Sequence, residues 1–135
     1  MQFVDEADSL LIMGWLDGEK TIVAMALYFF QYSTWEGRVL YLEDLYVTPE
    51  CRGHGIGKKM LVTLAEEAQK RGCKRFQWQV LFWNEPSIEF YKSTGAKEMS
   101  DWRIYRMNAE QIEAFVKSNS GVQWKSGRVD RESQR

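Results

Sequence analysis

The chain has 135 residues, 44% of them apolar and 27% charged, with a formal net charge of −1. That length suits a single domain able to bury roughly two-thirds of its unfolded surface. The near-neutral balance argues against nucleic acid or an anionic membrane as partner. Six Trp, six Tyr and seven Phe argue against disorder.

The chain opens with the acidic Met1-Gln2-Phe3-Val4-Asp5-Glu6, which lacks the basic start of a signal peptide. No run is long and apolar enough to span a bilayer. Leu10–Leu16 reads as a strand closed by the turn pair Asp17-Gly18, and Thr21–Tyr32 as a longer strand. The break at Ser33–Gly37 returns the chain antiparallel into a third strand, Arg38–Thr48, ended by Pro49. Lys58–Arg71 has apolar residues at helical spacing, with Gly72 where a C-cap glycine belongs. In Arg75–Phe82, Phe76, Trp78, Val80 and Phe82 alternate with polar residues, which predicts a strand. Because it follows a strand–helix unit, a right-handed crossover should lay it parallel to the third strand. Ser87–Thr94 reads as a short helix, Trp102–Met107 as a last strand, and Ala109–Lys117 as a helix capped by Asn108. The order β-β-β-α-β-α-β-α implies an α+β mixed sheet, one domain over residues 1–117 and a polar tail over 118–135.

Cys51 and Cys73 form no C-x-x-C pair and no metal-ligand spacing, so no metal is expected. Without a secretion signal they fit a reduced, cytoplasmic setting. His54 is the only histidine, which excludes a Ser-His-Asp triad.

The strongest signal is Arg52-Gly53-His54-Gly55-Ile56-Gly57, between a strand and a helix. Alternate glycines let backbone N–H groups converge, and a helix N-terminus adds its dipole and unpaired donors. The arrangement suits a phosphate or pyrophosphate; a flexible connector is the alternative. The spacing fits neither the P-loop nor the dinucleotide fingerprint. Glu43 and Asp44 interrupt an apolar strand, where adjacent residues face opposite sides, so one carboxylate should meet a buried face and suit a general base. A surface or structural ion pair is equally compatible. Asn84 leaves a strand end, and Tyr91 lies on the following helix as either a packed aromatic or an acid. Lys92 could meet a phosphate or solvent.

Together these pieces resemble the GCN5-related N-acetyltransferase (GNAT) superfamily, whose Q/R-x-x-G-x-G/A motif matches Arg52–Gly57. Tyr41-Leu42-Glu43-Asp44, the run Trp83–Lys92 and Gly95-Ala96 look like the diamine (spermidine/spermine) and thialysine acetyltransferases, and the likeness runs from about Ala24 to Met107. The resemblance implies acetyl-CoA as cosubstrate. Its pyrophosphate would be held by Arg52, Gly53, His54, Gly55, Ile56, Gly57 and Lys58, and its pantetheine arm by Leu45, Tyr46 and Val47 as an added strand. That requires the third and fourth major strands to splay, as a bulge near Glu43–Leu45 would make them do. Asn84 and Lys92 would also serve the coenzyme. Glu43 would be the base, Tyr91 the acid that protonates the thiolate, and a backbone N–H near Leu45 the oxyanion donor. Asp44, Trp35 and Trp102 match acceptor-side positions.

The implied reaction is acetyl transfer to a primary amine of a small molecule (polyamine, thialysine or lysine-like) in a ternary complex. A protein lysine acetyltransferase and a non-catalytic CoA-binding module are the alternatives. The family begins with a strand and two helices that wall the acceptor cleft, and this chain starts close to the family's second strand. The N-terminal strand and helices are therefore expected to be missing, leaving an open edge and an apolar face that would favour a homodimer.

Overall fold

The computed structural model describes residues 2–6, 9–15, 21–121 and 127. Five strands, β1 (Gln2–Glu6), β2 (Ser9–Trp15), β3 (Ile22–Ser33), β4 (Gly37–Val47) and β5 (Arg75–Trp78), form one sheet in chain order. β1 to β4 pair antiparallel, and β5 joins β4 in parallel. The crossover between them is helix α1 (Ile56–Lys70); α2 (Glu85–Ser93) follows β5. The mixed sheet with flanking helices is the expected α+β architecture.

Residues 1–94 and 95–135 form two compact units. In the first, Met60, Leu61, Leu64 and Ala68 make a stripe on α1 that packs on Ala24, Ala26 and Tyr28 of β3 and Leu40 and Leu42 of β4. This stripe is the 3.6-residue periodicity visible in the sequence. Tyr28, Leu40 and Leu64 are fully buried. In the second unit, α3 (Ala109–Ser118) begins with a capping box. Gln111 N–H donates to Asn108 Oδ1 at 2.8 Å, and Asn108 N–H donates to Gln111 Oε1 at 2.9 Å.

Two expected strands are corrected. β5 stops at Trp78 instead of running to Phe82, because its ladder partner leaves it: Leu42↔Trp78 is the last pair. Trp102–Met107 is not a strand; residues 102–108 are irregular and, among the described residues, have no strand partner. Ile104-Tyr105 breaks the alternation that a one-sided strand needs. One strand was not foreseen. β1 covers the edge of β2. The expected Asp17-Gly18 turn lies outside the described residues, as does most of the expected 118–135 tail.

Candidate active site

The site grows from one irregularity. In the β3–β4 ladder Leu27 pairs with Asp44, yet the next residue, Tyr28, pairs with Leu42. Glu43 is therefore an extra residue, a bulge inside the expected Glu43–Leu45 stretch. Its first consequence is a change of phase. Leu40 and Leu42 face the helices before the bulge, and Leu45 and Val47 face them after it. A period-2 strand could not place all four on one side. Its second consequence is a splay. Asp44–Val47 keeps β3 on one side and, among the described residues, has no strand partner on the other.

The opening between β4 and the chain beyond Trp78 is a cleft of about 240 Å³. Leu42–Leu45 line one wall, Trp78–Leu81 the other, and Asn84, Ser87 and Tyr91 the helical end. The cleft thus brings Glu43, Asp44, Leu45, Asn84 and Tyr91 together. Both carboxylates are exposed, so the burial expected from the strand pattern is absent. The bulge turns them toward the cleft instead of into the core.

Tyr91 is half-buried, packed on Trp78 at 5.2 Å and Phe90 at 5.4 Å between ring centroids. Burial raises its phenol above the ordinary value, and the Asp44 carboxylate raises it further. The group therefore keeps its proton at neutral pH, as an acid must. Asn84 caps α2, its Oδ1 accepting from Ser87 N–H at 3.4 Å.

Beyond Val47 the chain turns through a short 3₁₀ segment, Pro49–Cys51, into the glycine loop. Gly53 (φ 83°) and Gly55 (φ 77°) adopt the left-handed backbone that disfavours other residues. Gly55 is the N-cap of α1 and supplies no side chain to its donors. Among the described residues no protein acceptor is bonded to the N–H groups of residues 53–58. Gly57 differs from its neighbours, having ordinary helical backbone; a Cβ there would lie 3.8 Å from the Phe90 ring.

Two side chains of the loop fold back onto main-chain carbonyls just before it. Arg52 Nε donates to Val47 O at 2.9 Å and its guanidinium stacks over Tyr46. His54 Nδ1 lies 3.3 Å from Cys51 O. Both side chains are thus engaged with the chain itself, and the unbonded groups of the loop are the main-chain N–H groups of residues 53–58. Lys92 is turned to Glu89 at 3.3 Å.

Trp35 is not brought to the cleft. It sits at the β3–β4 turn, 92% exposed, where Ser33 Oγ accepts from its N–H at 3.2 Å. At strand rise, the six steps from Gly37 to Glu43 span roughly 20 Å. Trp102 belongs to the second unit, in the irregular stretch. Sequence reasoning missed Trp78, Gln79 and Ser87 as cleft residues. The i, i+4 spacing of Ser87 and Tyr91 was the available signal for Ser87.

The description "Acetyltransferase (GNAT) family" matches residues 2–96 of this chain. The chain belongs to that family. Thialysine N-epsilon-acetyltransferase of Sus scrofa is 45% identical over 94 residues, covering 67% of this chain and 55% of that protein. Spermidine/spermine N(1)-acetyltransferase-like protein 1 of Homo sapiens is 42% identical over 96 residues, 69% of this chain and 14% of that protein. The chain spans about half the length of the thialysine acetyltransferase it matches, 55%. An integron cassette protein of V. cholerae has the same fold, with a TM-score of 0.75 at 24% identity over 84% of this chain and 69% of that one. AAC(6')-Iy, solved with a CoA bisubstrate analogue, aligns with a TM-score of 0.65 at 18% identity over 77% of this chain and 72% of that chain. Among the described residues no helix is long and apolar enough to cross a membrane.

Proposed function

We propose that this chain carries acetyl-CoA-dependent N-acetylation of a primary amine on a small molecule. Polyamine, thialysine and lysine-like compounds are the acceptor class, and the amine attacks directly in a ternary complex. The observation that carries this reading is the row of unpaired amides at residues 53–58, beside a strand segment whose outer edge is open. Family membership and the names of the relatives support it.

In this reading the N–H groups of Gly53–Lys58 hold the pyrophosphate, and the outer edge of Glu43–Val47 takes the amide-rich arm. The coenzyme supplies an activated thioester. The acceptor arrives as an ammonium ion, and Glu43, on the bulge, removes its proton directly or through water. A β4 N–H near Leu45 stabilises the developing oxyanion. Tyr91 protonates the departing thiolate. Asp44 and Glu43 make the cleft attractive to a cation. A homodimer belongs to the same reading, since the outer edge of β1 has no strand partner among the described residues.

The test has two steps. Acetyl-CoA at a hundred times its Kd should stabilise the chain by about 2.7 kcal/mol, seen as a raised melting temperature. Thiol release is then followed with thialysine, spermidine and ornithine as acceptors. No thermal shift at saturating acetyl-CoA removes the coenzyme from the reading, and a shift without thiol release leaves a CoA-binding module.

A further inference from the structure

Two hydroxyls share the helical end of the cleft. Ser87 and Tyr91 both line it, one helical turn apart on α2. Helical side chains lean toward the N-terminus, so the Tyr91 ring extends over the turn that carries Ser87. Ser87 is half-buried, and its main-chain N–H donates to Asn84 Oδ1. Among the described residues its hydroxyl has no protein partner, nor has the Tyr91 phenol, which also lacks a bond to Asp44.

We propose that Ser87 is a positioning and relay residue for Tyr91, its hydroxyl hydrogen-bonding the phenol through one water. This rests on Tyr91 being the acid of the proposed transfer. In that step the phenol gives its proton to the thiolate, leaving phenolate and free thiol. The phenolate must then regain a proton before the next turnover. Ser87 can donate its hydroxyl proton through that water to the phenolate while accepting one from another cleft water, so serine is regenerated and hydroxide leaves to solvent. A hydroxyl, being donor and acceptor at once, suits this position.

The surroundings leave few other donors. The charged groups that line the cleft with Tyr91 are Asp44 and Glu43 of β4, and Glu43 is committed to the amine's proton in the proposed transfer. The β5 side contributes Trp78 and Gln79. On α2 itself Lys92 is 63% exposed and turned to Glu89, away from this role.

The experiment compares wild type, Ser87→Ala, Ser87→Thr, Tyr91→Phe and the Ser87→Ala/Tyr91→Phe double variant in the full chain. Thiol release should fall about tenfold in Ser87→Ala, stay near wild type in Ser87→Thr, and fall no further when Ser87→Ala is added to Tyr91→Phe. Independently of turnover, the Tyr91 phenol is titrated by carbon-13 NMR of labelled tyrosine. Loss of the water-bridged bond to phenolate should move its titration upward by about half a unit or more in Ser87→Ala. An unmoved titration, or equal losses from Ser87→Ala with and without the Tyr91 hydroxyl, overturns the relay. Full activity in Tyr91→Phe instead overturns the acid assignment, and the titration still decides whether the two hydroxyls are coupled.

Discussion

The two halves of β4 are built for different purposes. From Val39 to Leu42 the strand has a neighbour on each side, and Val39, Leu40 and Leu42 are buried. From Asp44 to Val47 it has one neighbour among the described residues, and the side chains of Glu43, Asp44 and Tyr46 are exposed. One inserted residue separates the halves. A single strand can thus supply scaffold and site, provided the ladder is broken at one place and the phase is reset so that Leu45 and Val47 still reach the core. Since the paired half is anchored on α1, the open half is held firmly enough to present polar groups without packing over them.

Substitutions on the two sides of the bulge should separate stability from chemistry. Leu40 is fully buried, so Leu40→Ala should cost about 2–5 kcal/mol by urea unfolding. Turnover per folded molecule should stay near wild type. Tyr91→Phe should do the reverse: stability near wild type at neutral pH, and thiol release slower by roughly 10- to 1,000-fold. A Leu40→Ala protein that keeps its stability but loses its rate per folded molecule would show that the paired half is not merely a scaffold.

How much of this was legible from the sequence follows the same division. The helical stripe of α1 and the alternation of β3 and β4 are local patterns, and both were readable. So was Gly55, because a left-handed N-cap with no side chain calls for glycine. The end of β5 was not readable. Val80 and Phe82 continue the alternation of Phe76 and Trp78, but a strand needs a partner's backbone, and β4 withdraws it after Leu42. The exposure of Glu43 and Asp44 was hidden for a related reason: alternation assigns faces only while the ladder is regular. β1 was missed because an acidic six-residue start carries little strand pattern, and its pairing with β2 is a tertiary fact. The expected role of Trp35 came from the family likeness, although the break at Ser33–Gly37 already set it at the start of the third strand, away from Glu43.

The smallest effect expected is on the alkaline side of the stability profile, and it again contrasts two places. Tyr91 in the cleft and Cys73 after α1 both have raised pKa values, chiefly from burial. For Tyr91 the Asp44 charge adds to the rise; for Cys73 the Arg38 and Arg71 guanidiniums pull back against burial, and Glu67 adds a little. In each case the unfolded chain loses its proton first. As pH climbs past the ordinary thiol value of 9.0 and then the ordinary phenol value of 10.0, the folded state holds more protons than the unfolded one. Stability must therefore fall with rising pH. The contribution is whole below those values and is gone once pH passes the raised, folded-state values. Urea unfolding from pH 8 to 11 should show the fall beginning near the thiol and steepening near the phenol. Cys73→Ala should flatten the first part and Tyr91→Phe the second. Equal slopes in all three proteins would mean that neither group is held as burial dictates.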